Sequence, residues 1–224
     1  MDEDSNMKKI LFLTVGLIPM LFCSQSNTRI SNPPVIFEAL AGNKGFASQM
    51  TVNKAFEGSE KLGFFSVANI SSKWSEDHSK DAMIQANLTF EIIKNIRLVG
   101  GSHYTPTTGL RPTAGFMYSL NFNDFLLVVN PRLIGFSKSS IAEGFIMMEY
   151  KPKISETWTG YSRIQGLYSE TTEDGEHARS YLMLRLGVTY RSITFGAGAN
   201  FDSYGPFKES KQNYGLFASA RLFN

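Results

Sequence analysis

From Tyr181 to Tyr190 the chain alternates strictly: Leu182, Leu184, Leu186, Val188 and Tyr190 fall on one side, Met183, Arg185, Gly187 and Thr189 on the other. Side chains of a strand point to opposite faces in turn, so this segment reads as a strand with one apolar face and one face holding a charge and a glycine. In a soluble sandwich the apolar face would turn inward to a core. In an outer-membrane barrel it turns outward to lipid, and the polar face lines the interior. The pattern recurs. Residues 83–93 set Ile84, Ala86, Leu88, Phe90 and Ile92 against Gln85, Asn87, Thr89 and Glu91. Residues 193–204 set Ile193, Phe195, Ala197, Ala199 and Phe201 against Thr194, Gly196, Gly198, Asn200 and Asp202. Twelve strands are predicted, over 34–41, 46–56, 62–74, 83–93, 96–104, 111–122, 125–136, 140–151, 156–168, 180–190, 193–204 and 213–223. The first two carry the weakest pattern, which leaves ten strands as the alternative. No helical period of comparable strength competes with this alternation.

The connections test the same idea, because outer-membrane barrels pair short turns at one rim with longer loops at the other. Lys94-Asn95, Asn123-Asp124, 151–155 and Arg191-Ser192 are read as short, and 75–82, 105–110, 169–179 and 205–212 as long. The brief links 137–139 and 42–45 break the sequence of short and long. The expected fold is therefore all-β, a single antiparallel up-and-down transmembrane barrel over residues 27–224.

The start of the chain points to export. Met7-Lys8-Lys9 followed by the apolar run from Ile10 to Cys23 has the basic and apolar regions of a Sec-type secretory signal, with Ser24-Gln25-Ser26 as its small-residue cleavage pattern. Residues 1–26 are assigned to that signal, and the acidic stretch ahead of Met7 suggests Met7 as the start. Phe22, standing before Cys23 where a lipoprotein signal needs a small residue, argues against lipidation. Cleavage there removes the single cysteine of the chain, so no disulfide closes the fold. A formal charge of +2 with interspersed acids and bases gives no basic stripe, and nucleic acid is excluded as a partner. After the signal no segment is apolar for the roughly 18 residues that a spanning helix needs, so any crossing of a membrane falls to strands.

Two sets of residues follow from the phase of the alternation. Trp158, Tyr150, Tyr190 and Phe122 share the apolar face near the short turns, and Trp74, Tyr104, Tyr168 and Tyr214 share it near the long loops, the arrangement of two aromatic girdles. Glu91, Arg97, Arg132, Glu143, Glu149, Arg163, Arg185, Asp202 and Arg221 fall on the opposite, lumen face. An arginine facing lipid at mid-membrane costs about 2–4 kcal/mol, so a consistent inward side for these charges supports the phase. Balanced charges inside a barrel can line a hydrated pore, or can pair off and fill a narrow lumen.

The alternating strands, the export signal and the closing strand Tyr214-Gly-Leu-Phe-Ala-Ser-Ala-Arg-Leu-Phe223 resemble the outer-membrane β-barrel proteins of Gram-negative bacteria. The stretches 145–152 (FIMMEYKP) and 177–187 (HARSYLMLRLG) are similar to barrels of the Bacteroidetes group. The resemblance covers 33–224. It implies an outer-membrane location, contact with outer-membrane lipid, recognition of the terminal aromatic by the barrel assembly machinery, and a porin-like role as a channel or passive transport protein for small solutes. Asn224 after Phe223 departs from the usual terminal aromatic.

Enzymatic chemistry is weighed against this. The histidines are His78, His103 and His177. Ser102 adjoins His103, so the two side chains leave a strand on opposite faces, while His177 with Glu176 and Ser180 sits at a loop-to-strand junction and matches no catalytic spacing. The chain is therefore expected not to be an enzyme. Gly196-x-Gly198 lacks the third glycine and the helix of a nucleotide site, and no His, Cys and Asp cluster has metal-ligand spacing. No cofactor or metal is expected. A structural or binding barrel with a plugged lumen is the first alternative, and an outer-rim hydrolase acting on lipid the second.

Overall fold

The computed structural model describes residues 32–59, 61–75 and 81–223. The signal assigned to 1–26, His78 and the terminal Asn224 lie outside the described residues. Twelve strands form a closed antiparallel barrel: β1 (Val35–Gly42), β2 (Gly45–Ala55), β3 (Leu62–Lys73), β4 (Asp81–Ile93), β5 (Ile96–Thr105), β6 (Gly109–Phe122), β7 (Phe125–Ile134), β8 (Ile141–Tyr150), β9 (Trp158–Thr171), β10 (His177–Tyr190), β11 (Ile193–Tyr204) and β12 (Glu209–Leu222). Each strand pairs with its neighbours in sequence. β12 returns to β1 in register from Val35↔Leu222 to Gly42↔Gly215, so no edge is left unpaired. The weakly patterned segment 34–56 thus supplies two full wall strands, and the ten-strand alternative is excluded.

The even strand count brings both ends of the barrel to one rim, called proximal here, which also carries the links 56–61, 94–95, 123–124, 151–157 and 191–192. Asn95 and Asn123 take left-handed φ angles of 71° and 53° in two of these tight turns, a conformation that a short polar side chain tolerates. The distal rim carries 43–44, 74–75, 106–108, 135–140, 172–176 and 205–208.

Here the structure departs from the sequence expectation. β6, β9, β10 and β12 run further toward the distal rim than the alternation indicated. The links expected at 169–179 and 205–212 shrink to 172–176 and 205–208, and the proximal link 151–157 is longer than either. The contrast of short and long rims is therefore weak. The reason is physical: apolar alternation stops where the outer face no longer needs to be greasy, but ladder hydrogen bonds need no greasy side chains. Asp202↔Lys211, Ser203↔Ser210 and Tyr204↔Glu209 continue the β11–β12 ladder through wholly polar sequence.

Burial follows the phase of the alternation. Phe195, Leu182 and Leu186 stand exposed on the outside, whereas Arg185, Arg163 and Gln165 are buried within. Apolar contact inside is confined to small clusters, one of Leu40, Tyr161 and Phe217 and another of Leu167, Tyr181 and Met183. This is an inverted pattern for a soluble domain, whose largest apolar residues would be the buried ones.

Candidate functional site

The interior is built by the inward positions of the strands, and ion pairs fill its middle. Glu38 of β1 accepts hydrogen bonds from Nη2 of Arg163 at 2.7 and 2.8 Å and from Nε of Arg185 at 2.8 Å. Arg185 also donates through Nη1 to Asn200 Oδ1 at 2.9 Å, and its guanidinium lies over the ring of Phe217 at 5.6 Å. The side chains of Glu38, Arg163 and Arg185 are each 3–4% exposed, so the three charges are withdrawn from bulk solvent, with one carboxylate shared between two guanidinium groups. Gly198 makes room for them, since a Cβ there would come within 3.0 Å of both Arg185 Cδ and Leu40 Cδ1. On the adjacent strands β7 and β8, Arg132 Nε donates to its register partner Glu143 at Oε1, 2.7 Å away. Glu149 takes a bond from the Tyr161 hydroxyl at 2.8 Å and pairs with Lys151 at 2.5 Å.

Toward the distal rim Arg179 forms a second network. It donates to Asp202 Oδ1 at 3.0 Å and to the Tyr204 hydroxyl at 3.1 Å, and lies 3.7 Å from Asp81. Tyr204 in turn donates to Asp81. At the proximal rim Arg97 and Glu91 make a half-exposed pair at 3.4 Å. Arg221 faces the interior from β12 and has no ion pair among the described residues.

These charges border two spaces. A cavity of about 640 Å³ reaches the proximal rim at Pro33, Asn121 and Lys151 and extends inward to Arg132, Arg163 and Gln165. A chamber of about 30 Å³ lies beyond it, bounded by Glu38, Arg179, Arg185 and Asp202, and Gln49 and Asn69 line both. Gln49, Asn69, Gln85 and Gln165 each hold a buried side-chain oxygen that makes no hydrogen bond within the protein. Polar atoms left so inside a barrel call for water or a solute.

Of the residues assigned to the lumen from the sequence, Arg132 and Glu143 meet each other, as do Glu91 and Arg97. Glu149, Arg163, Arg185 and Asp202 find partners that the sequence reading missed: Lys151, Glu38 and Arg179. Glu38 was missed because β1 is apolar on both faces, with Ile36 and Leu40 inward beside it. Arg179 falls in the link expected at 169–179, and the extension of β10 to His177 brings it onto the inner wall. The girdle residues Trp74, Tyr104, Phe122, Tyr150, Trp158, Tyr168, Tyr190 and Tyr214 all stand exposed on the outer surface. Phe125 stacks on Tyr150 with ring centroids 4.4 Å apart, and Trp158 lies 4.9 Å from Tyr190.

His177, buried under Tyr168, faces outward because a bulge between His177 and Arg179 shifts the register of β10 against β9. Its Nδ1 lies 2.7 Å from the carbonyl oxygen of Gly205 and its Nε2 2.9 Å from Ser180 Oγ. A carbonyl can only accept, so Nδ1 carries the proton and Nε2 accepts from the serine hydroxyl. A hydroxyl in contact with an oriented base is one part of an acyl-transfer site.

No family model and no curated protein matches the chain. Solved structures do. A NanC porin aligns with a TM-score of 0.52 at 13% identity, covering 85% of this chain and all of the porin. LpxR from Salmonella typhimurium aligns at 0.38 and 7% identity over 84% of this chain and 99% of that one. A loop-deleted OmpT, an outer membrane protein of Vibrio cholerae, aligns at 0.37 and 10% identity over 84% and 97%. At such identities the likeness is one of fold, the closed barrel of outer-membrane proteins. The expectation that the chain is not an enzyme is corrected here. A barrel fold does not by itself decide for or against catalysis, and folding brings His177 within 2.9 Å of Ser180, a pair that its spacing in the sequence argued against.

Proposed function

We propose that this chain is an integral outer-membrane barrel that acts as a channel or passive transport protein for small solutes. Its proximal rim faces the periplasm, its apolar exterior and aromatic belts meet lipid, and its terminal strand is the segment read by the barrel assembly machinery. The observation that carries the reading is the cavity of about 640 Å³, lined by charged, amide and apolar side chains, inside a wall whose outer face is apolar. A barrel serving only as a scaffold has no use for a hydrated vestibule open at one rim. Balanced charges at the far end of that vestibule set a narrow, weakly selective passage, because a permeating ion meets both signs at close range.

A closed lumen is the second reading, and it is supported by the near-complete burial of Glu38, Arg163 and Arg185. Planar-bilayer recording separates the two. The refolded protein is expected to give stepwise currents. A barrel shown to be folded by its heat-dependent mobility on gels, yet electrically silent, overturns the open-channel reading and leaves the closed one.

A further inference from the structure

The inner wall of the vestibule carries apolar side chains beside its charges and amides. Val67, Met83, Met117, Phe145 and Leu167 all line it, from five different strands, and so form an apolar belt rather than a single greasy spot. In a transmembrane barrel the inward face is expected to be polar, so apolar residues there have no lipid to meet and gain nothing from the membrane. Leu167 and Phe145 pack with Tyr181 and Met183, while Val67, Met83 and Met117 gain by covering apolar surface of a solute. The volume of about 640 Å³ lies within the range of roughly 300–1,000 Å³ of pockets that take compact organic ligands.

The charges of the same wall set the sign of that ligand. Four cations line the cavity, Arg132, Lys151, Arg163 and Arg221, against the two carboxylates Glu143 and Glu149. Arg132, Lys151 and Arg163 are each paired with an acid: Glu143, Glu149 and, shared with Arg185, Glu38. Arg221 is not, among the described residues, and it lies toward the proximal end of β12 where a solute would enter. An excess cation beside an apolar belt suits a molecule with an anionic head and an apolar body.

We propose that the vestibule binds small amphipathic organic anions, with the apolar body against the belt of Met83, Met117 and Phe145 and the acid group toward Arg221. This rests on the reading of the interior as a solute path and names the class of solute. The test uses the full-length barrel refolded in bilayers, with 4-phenylbutyrate as probe and acetate as the anion lacking an apolar body. Binding is followed by titration calorimetry in detergent and by block of the ion current. Phenylbutyrate is expected to bind at least tenfold more tightly than acetate. Arg221→Gln is expected to weaken it about tenfold, and so is the doubly substituted Met117→Gln/Phe145→Gln barrel, with folding of each variant checked by gel mobility. Equal and weak binding of the two anions, or phenylbutyrate binding unchanged in both variants, overturns the proposal. Tight phenylbutyrate binding by a barrel that carries no current upholds it while removing the channel reading.

Discussion

Glu38 and Arg163 stand 125 residues apart in the chain and form a two-oxygen contact at 2.7 and 2.8 Å across the lumen. One strand opens the barrel and the other lies well past its middle, so the pair forms only when the wall is closed. Arg185 shares the same carboxylate, which leaves Glu38 as the single acid between two buried cations. Removing it strands both. Glu38→Ala is therefore expected to cost about 3–5 kcal/mol, the typical penalty for breaking a buried pair from one side. Urea unfolding in vesicles, followed by tryptophan fluorescence, measures this. A loss under about 1 kcal/mol shows that water already reaches the two arginines.

The same contact shows where sequence reading stops. Alternation is a local property, and it located β4, β6 and β11 along with the side each residue faces, because lipid imposes one demand on every outward position. Which inward charges meet depends on how the wall curves and closes. Arg163 and Arg185 were legible as inward residues, but their common partner lay on a strand with apolar residues on both faces, and no spacing in the chain links positions so distant. The distal ends of β10 and β12 were lost for another reason: polar residues such as Lys211 and Ser210 continue the ladder without leaving a hydropathy signal.

Gly187 and Gly196 are register partners on β10 and β11. A Cβ on Gly196 would lie 2.1 Å from the Leu186 carbonyl oxygen and 2.5 Å from Gly187 Cα, backbone atoms that cannot turn aside as a side chain would. Gly144 on β8 meets nothing within 4 Å. Gly196→Ala should reduce the yield of folded barrel sharply and Gly144→Ala should leave it unchanged, as read by resistance to unfolding on unheated gels. Equal yields from the two variants show that the β10–β11 ladder can spread to admit a methyl group.

Leu88 lies midway along β4 and is 60% exposed on the outer face. If that face meets acyl chains, Leu88→Arg costs about 2–4 kcal/mol, since a charge at mid-membrane has no water to solvate it. Phe207 in the distal turn is 92% exposed but lies beyond the strands, and Phe207→Arg is expected to change stability by under about 0.5 kcal/mol. The comparison tests the membrane orientation itself. Were both substitutions neutral, the outer face would be in water and the chain a soluble barrel.

Arg179 holds the distal end of the interior through Asp202 and Tyr204 and stands 3.7 Å from Asp81. Its guanidinium also lies over the Tyr204 ring at 4.9 Å, so one side chain ties β4, β10 and β11 together across the small chamber of about 30 Å³. Replacing it with glutamine removes a positive charge and part of the obstruction at once, and leaves Asp81 and Asp202 facing the passage. Single-channel recordings of Arg179→Gln in a potassium chloride gradient should then show a larger unit conductance and a reversal potential displaced toward cations, because two carboxylates now set the local field. Thermal stability should fall by only about 1–3 kcal/mol, since Tyr204 and Asp81 keep their mutual hydrogen bond. Unaltered conductance with an unaltered reversal potential would place the permeation path away from this cluster, and the distal network would then be a brace of the wall alone.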